Sequence, residues 1–406
     1  MNLFAPLPPE THRLLDGIPA LIDKTFPLPG RFRSKLPSDV AELSHLLTSG
    51  RGERGLSYLG RPNLLSAYLR FFLPWNLYRL CRLLPGLNIA LGANDVVTDL
   101  GCGPFTVAAA LWICRPDLRR IPLEFNCMDR SGPALEAGVK FFAALTGATP
   151  GGENSPWKIR VSRAEFGTGT PPAAASKGAA LVCAANVFNE MYGDISRCNT
   201  ETLKRNAEKS VRILEGHASP ASAFLVVEPG FPRCGEFIGL LRNALMKRGH
   251  RPLSPCPHDG GCPLLDSTRP VQAGDRAKAG KKRWCHFAFE TDDAPKALQR
   301  LSAAAKIPKN RAVLSFVFAG KPEPAERRAC DLRIISDAFP LPHQRLGRYG
   351  CSQQGLVLLS GNESDIGKAG SGTLVNAVFK KGEKDPKSGA LMAELDPGRP
   401  RPLPGR

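Results

Sequence analysis

The sequence predicts an α/β protein: a doubly wound sheet, with an N-terminal helical region before it and a C-terminal cysteine-rich metal-binding extension after it. Three observations carry this. Between Asn94 and Lys247, β-rich apolar segments alternate with segments of helical spacing, the order that produces parallel strands joined by crossover helices. Upstream, apolar residues recur at three- and four-residue steps without strand alternation. Downstream of Arg251, cysteines gather in a stretch containing Pro and Gly, a setting in which thiols converge on a metal.

The 406 residues, 42% of them hydrophobic and 23% charged, suffice for about two to three domains. Forty glycines and 37 prolines imply many loops. The formal charge of +18 suits a partner rich in phosphate, although a solubilising surface has the same composition. The most apolar region, Asn63 to Leu91, is interrupted by Arg70, Arg79 and Arg82, so no membrane span is expected. Near the start no basic segment precedes an apolar one, and Glu10 and Asp16 speak against a transit peptide. A cytoplasmic location follows as the expectation. Twelve cysteines in a reducing compartment point to metal binding rather than disulfides. Cys81, Cys114, Cys127 and Cys183 lie in apolar runs and read as small core residues.

Residues 1–88 form the helical region. Leu64, Leu65, Tyr68, Leu69 and Phe72, then Leu77, Leu80, Cys81 and Leu84, mark its helical faces. Pro74 is expected to kink or separate two helices, because it lacks an N–H and crowds the preceding turn. In residues 89–250, strands are expected near Asp95–Leu100, Pro122–Met128, Lys158–Ser162, Ala179–Ala184 and Ala223–Glu228. Helices are expected near Thr106–Cys114, Pro133–Leu145, Thr202–Leu214 and Gly235–Lys247. Gly147–Pro156 and Gly167–Gly178 have loop composition. Residues 251–381 form the extension, with a helix expected near Ala294–Lys306 and short strands near Ala312–Ala319, Asp331–Ser336 and Gly355–Leu359. Residues 382–406 have few large apolar groups and are expected to be a disordered tail.

Val96 to Pro104 reads Val-Val-Thr-Asp-Leu-Gly-Cys-Gly-Pro, a strand entering a glycine turn. Gly101 and Gly103 would let the backbone approach a nucleotide-like cofactor at the carboxyl end of the strand. Asp99 would orient the loop and meet a cationic group, and Asp129, ending the next strand, would accept hydrogen bonds from ribose hydroxyls. Thr106 stands where the dinucleotide fingerprint has its third glycine. Asp-Leu-Gly-Cys-Gly-Pro, followed by Met128-Asp129-Arg130-Ser131, resembles the first two motifs of class I S-adenosylmethionine-dependent methyltransferases. The resemblance implies a Rossmann-like methyltransferase sheet and S-adenosylmethionine as cofactor. Asn186, Asn189 and Glu190 end the fourth expected strand, the substrate-facing position in such enzymes. Asn186 is a further candidate for cofactor contact, and Asn189 and Glu190 serve equally well as helix caps. The nucleophilic cysteine motif of cytosine C5 chemistry and the Asn-Pro-Pro-aromatic motif of base amino methylation are both lacking. No residue is assigned a catalytic role, and transfer from an electrophilic methyl group needs little beyond proximity.

Cys256-Pro-His-Asp-Gly-Gly-Cys262-Pro and Trp284-Cys285-His286-Phe287 supply three candidate ligands, and Cys351, at a glycine-rich turn, is a better placed fourth than Cys330. Together with Tyr58-Leu-Gly-Arg-Pro62, Ala67-Tyr-Leu-Arg70, Pro74-Trp-Asn76 and Val227-Glu-Pro-Gly230, these residues resemble the small-ribosomal-subunit-associated methyltransferase-like family, which has mitochondrial members and bacterial relatives. The resemblance covers about residues 40–360. It implies association with small-subunit ribosomal RNA in ribosome assembly, and a [4Fe–4S] cluster on Cys256, Cys262, Cys285 and Cys351. The spacer before Cys285, with Lys278, Lys281, Lys282 and Arg283, departs from the pattern. Four thiolates also suit zinc, and His258 and His286 would allow a mixed set.

Three functions remain open on these residues: methylation of ribosomal RNA, cofactor-bound docking on RNA without turnover, and methylation of a small molecule or protein. An RNA surface is expected from Arg70, Arg79, Arg82 and the spacer cations. The three arginines would equally snorkel from packed helices. Oligomeric state has no signature in the sequence.

Overall fold

The structure, a computed structural model, describes residues 2–50, 58–149, 152, 154–165, 178–192, 194–266, 283–321 and 331–396. Cys330, Lys278, Lys281, Lys282, most of the expected loop at Gly167–Gly178 and residues 397–406 lie outside them. Five segments pair in parallel: β1 (Val96–Leu100), β2 (Glu124–Asp129), β3 (Lys158–Arg163), β4 (Ala179–Ala185) and β5 (Ala218–Pro229). Their spatial order is β3-β2-β1-β4-β5. The connections therefore turn in opposite directions on either side of β1, which opens a crevice at the carboxyl ends of β1 and β4. This is a mixed α/β fold with a parallel-rich sheet.

Side chains alternate between the two faces of the sheet. Val97, Phe125, Cys127, Leu181 and Cys183 pack on one side with the helices Thr106–Cys114 and Gly132–Gly147. Leu100, Met128, Val182, Ala184 and Val226 pack on the other with the helices Thr200–Glu215 and Pro232–Lys247. All nine residues of the Thr106–Cys114 helix are buried, because the N-terminal helices cover the side that a surface helix would turn to water. Helix starts are set locally. Ser131 Oγ accepts from the Ala134 amide, and Asn199 Oδ1 accepts from that of Thr202 at 2.8 Å. Cys81, Cys114, Cys127 and Cys183 are all buried, as small core residues.

The N-terminal helices Pro9–Thr25, Leu36–Leu47, Pro62–Ala67 and Leu73–Leu83 join the larger core. Pro74 does not separate two helices. A π-helical turn at Tyr68–Phe72 widens the helix just before it, relieving the clash between the proline ring and the preceding turn. Among the described residues no helix is long and apolar enough to cross a membrane.

The expected boundary at residue 251 is not a structural one. β6 (Arg251–Ser254), β7 (Phe287–Glu290) and β8 (Arg311–Gly320) extend the same sheet, with β8 antiparallel to β5 and flanked by β6 and β7. A second sheet then follows: β9 (Asp331–Ile334), β10 (Phe339–Leu341), β11 (Arg345–Ser352), β12 (Gly355–Gly361), β13 (Leu374–Lys384) and β14 (Leu391–Leu395). It runs β10-β11-β12-β14-β13-β9, and β9 pairs back onto β11, closing a barrel around Leu332, Ile334, Val357, Leu359, Ala377 and Ala393. The tail expected to be disordered from residue 382 thus supplies the end of β13 and all of β14. Their inward residues, among them Ala377 and Ala393, are small because the barrel interior has little room.

Candidate functional site

The glycine turn leaves β1 at the mouth of the crevice. Gly101 and Gly103 have φ of +66° and +52°, in the left-handed region that glycine adopts without a Cβ penalty. A Cβ on Gly101 would stand 2.5 Å from Val187 Cγ2, so the turn closes tightly on the segment leaving β4. Asp129 Oδ2 accepts from the Gly103 amide at 2.9 Å, and Oδ1 accepts from the Ser131 amide at 2.8 Å. A carboxylate has about four acceptor positions, so Asp129 ties the two turns together and keeps capacity for hydroxyl donors.

Asp99 is 1% exposed, and neither of its oxygens has a hydrogen-bond partner. The Val107 backbone amide, at the amino end of the Thr106–Cys114 helix, favours its ionised form. Burial, and then the charge of Asp129, pushes its carboxyl well above the ordinary range. A cation arriving at the turn would favour the ionised form of this carboxyl and bring its pKa down. Asn186, with φ +59°, ends β4 next to the turn and is held there by its amide donating to Val227 O at 2.7 Å. The structure therefore gathers Asp99, Gly101, Gly103, Asp129 and Asn186 at one end of the sheet.

Asn189 is buried in a supporting role. Its side-chain amide donates to Glu228 Oε2 at 2.6 Å, and the Phe188 amide donates to Glu228 Oε1 at 2.8 Å. Glu228, at the end of β5, is fully buried, and its carboxyl is pushed up to about 7 by that burial despite the donors that favour the anion. Glu190 Oε2 accepts from Tyr58 Oη at 3.2 Å. Tyr68, from the π-helical turn, reaches over the site: a Cβ on Gly103 would lie 3.8 Å from its hydroxyl. Burial, followed by the charges of Glu190 and Asp129, raises its pKa. The sequence does not mark Glu228, Tyr58 and Tyr68 as site residues. Their only sequence signal was that they lie within the short motifs that carried the family resemblance.

The three arginines of the helical region do not form a surface for RNA. Arg70 donates to Asp23 Oδ1, Ser66 Oγ and Phe26 O. Arg79 donates to Val313 O and Asn76 Oδ1. Arg82 pairs with Asp293 at 2.8 Å and lies over the Phe289 ring. Arg70 ties the N-terminal helices to one another, whereas Arg79 and Arg82 hold them to the rest of the molecule.

The four cysteines come from the loop after β6 (Cys256, Cys262), the segment before β7 (Cys285) and β11 (Cys351). Among the described residues no group of three or more His, Cys, Asp or Glu side chains has the arrangement of a metal-ion site, so the expected metal-binding extension is not shown as such. The thiols nevertheless share one neighbourhood. Burial and then the other three cysteines push the Cys351 thiol up, and burial with Cys256 and Cys262 does the same at Cys285. Arg242, 2% exposed, donates to Cys256 Sγ at 3.2 Å and to the carbonyls of His258 and Gly260. His258 Nε2 lies 3.2 Å from Cys351 Sγ, whereas His286 stacks on Trp284.

Residues 195–338 match the family described as mitochondrial small ribosomal subunit Rsm22. None of the curated proteins matches the chain. Similar solved structures include an S-adenosylmethionine-dependent methyltransferase from Aquifex aeolicus, 14% identical over 70% of this chain and 97% of that one, with a TM-score of 0.28. Two others are S-adenosylmethionine-dependent methyltransferases in complex with S-adenosyl-L-homocysteine. The one from Thiobacillus denitrificans is 12% identical over 61% of this chain and 90% of that one, at a TM-score of 0.30. The one from Geobacter sulfurreducens is 11% identical over 62% and 91%, also at 0.30.

Proposed function

We propose that this chain, whose residues 195–338 match the mitochondrial small-subunit family, binds S-adenosylmethionine and acts on or with small-subunit ribosomal RNA as a methyltransferase-like protein. The observation that carries the cofactor reading is the buried Asp99 carboxyl without a hydrogen-bond partner, beside a turn built on two positive-φ glycines. In this reading Asp99 meets the cationic end of the cofactor, Asp129 receives the ribose hydroxyls, Gly101 and Gly103 admit the backbone, and Asn186 completes the cofactor contacts. Bound there, the cofactor supplies an electrophilic methyl group. Tyr68 and Glu190 line the side from which an acceptor would enter. Calorimetry with purified protein tests the site. Asp129→Ala should weaken S-adenosylmethionine binding by about 1.5–3 kcal/mol, roughly tenfold or more, and unchanged affinity would remove Asp129 from it. Label transfer from the cofactor to immature small subunits separates an enzyme from a protein that docks without turnover. The matched description is mitochondrial, so the cytoplasmic location expected from the N-terminal residues is not part of this proposal.

We further propose that Cys256, Cys262, Cys285 and Cys351 hold an iron–sulfur cluster. The shared neighbourhood of the four thiols supports it, as does the Arg242 guanidinium, which offsets thiolate charge. When bound, such a cluster would tie the barrel to the sheet, since its ligands come from both. Anaerobically purified protein should contain iron and sulfide in about equal amounts, and Cys351→Ser should lose both while Cys330→Ser keeps them. Stoichiometric zinc in colourless protein would replace the cluster with the alternative ion.

A further inference from the structure

The barrel has a topology of its own. Taking β9, β11, β12, β13 and β14 as its five strands in chain order, the neighbours run first, second, third, fifth, fourth and back to the first. The third and fifth strands are parallel, every other pair is antiparallel, and the short helix Glu363–Ile366 links the third strand to the fourth. This five-stranded Greek-key barrel is the architecture of the OB-fold, which presents the outer face of its second and third strands, with the adjoining loops, to oligonucleotides. An architecture does not by itself assign a ligand, so the side chains on that face decide the matter.

They form a row of cations and aromatic rings along the second strand. Arg345, Gly347 and Tyr349 alternate with residues on the other face of β11 and so share one face. A Cβ on Gly347 would stand 2.9 Å from the Phe339 ring, which places Phe339, from the short strand β10 between the first and second barrel strands, over that glycine. The Phe339 and Tyr349 rings are 5.2 Å apart. The Arg283 guanidinium lies 4.2 Å over the Tyr349 ring and donates to its hydroxyl at 3.0 Å. At the other end, Arg345 is held by Glu394 and Ser360. Arg283, Phe339, Arg345 and Tyr349 are all partly exposed. Rings offer stacking surfaces to unpaired bases, and guanidinium groups offer stacking and phosphate contacts, which is the chemistry of single-strand recognition. A protein docking face would not need cations at both ends of the rings, and the net charge of +18 favours a polyanion.

We infer that this face of the barrel is a binding surface for single-stranded RNA, with Phe339 and Tyr349 stacking bases and Arg283 and Arg345 contacting phosphate. The inference rests on the RNA association proposed above and locates it away from the cofactor turn. The test uses the full chain, purified anaerobically, and fluorescence anisotropy with a labelled oligouridine, a duplex RNA and small-subunit ribosomal RNA. Wild type should prefer oligouridine to duplex. Phe339→Ala and Arg283→Gln should each weaken oligouridine binding about tenfold, and Arg283→Gln should also make the affinity less sensitive to salt. Calorimetric S-adenosylmethionine affinity should stay at the wild-type value in both. Arg283→Gln changes a partly exposed side chain, so it remains informative if Phe339→Ala fails to fold. If wild type binds ribosomal RNA and both variants bind oligouridine as tightly as it does, this surface is wrong, the RNA reading stands, and the face is left to a protein partner. A preference for duplex overturns the inference likewise. If wild type binds none of the three RNAs, the RNA association itself falls.

Discussion

Gly101→Ala is expected to abolish measurable S-adenosylmethionine binding and to destabilise the fold by about 3 kcal/mol. Two costs add. A side chain in the left-handed region at φ +66° costs roughly 1–2 kcal/mol, and a Cβ at 2.5 Å from Val187 Cγ2 forces overpacking worth roughly 1–3 kcal/mol. Val187 leads out of β4 beside Asn186, so relief of the clash displaces the segment against which the turn closes. Gly249→Ala is the matching control, because Gly249 has φ +83° with nothing within 4 Å of an added Cβ. It should show the backbone cost alone, about 1–2 kcal/mol, with cofactor affinity intact. Denaturant unfolding and calorimetry on both variants check this, and equal losses in the two would mean that the Val187 contact has no consequence.

Glu228 makes stability depend on pH in the opposite sense from a salt-bridged carboxylate. Its folded pKa, about 7, lies above its ordinary value of 4.5, so the folded chain keeps a proton that the unfolded chain has already released. The stabilisation is full below about 4.5 and is lost as pH rises through about 7. Over that window the loss amounts to about 3 kcal/mol. Wild type should therefore need less urea to unfold at pH 8 than at pH 5, while Glu228→Gln should show a much flatter profile. Asp99 shifts in the same direction and leaves a residual slope. A variant whose slope equals the wild-type slope would move the effect away from Glu228.

Periodicity made the parallel half of the sheet legible: the helix expected at Thr106–Cys114 has those ends, and the other expected elements of that half sit within a few residues of the observed ones. Periodicity says which face a strand buries but not which strand it pairs with. For that reason β6 and β8 look in sequence like part of an appended region although they complete the first sheet, and β13 and β14 carry no strand signal where Lys380, Lys381 and Lys384 make the segment look polar. The glycine turn itself was legible because Asp99, Gly101 and Gly103 fall within one short stretch at the end of an apolar run. Glu228 acquires its role only through Asn189 and Phe188, about forty residues away, and Tyr68 through Glu190 and Asp129. Arg70, Arg79 and Arg82 show the limit from the other side. Their charge suggested a partner outside the chain, and Asp23, Asn76 and Asp293 answer it from within.

The position of β8 bears on how the chain is made. β8 fills the place between β5 and β6, yet it is synthesised after both, and 81 residues separate Pro229 from Arg311. During vectorial synthesis the parallel half can assemble while β5 still presents a bare row of amides and carbonyls along one side, which is a template for pairing with another nascent chain. Phe224 to Val227, all buried in the finished molecule, would then lie beside an open edge. A nascent chain stalled before residue 311 should accordingly be held by chaperones or aggregate, and one stalled late enough for Arg311–Gly320 to clear the exit tunnel should resist protease across β5.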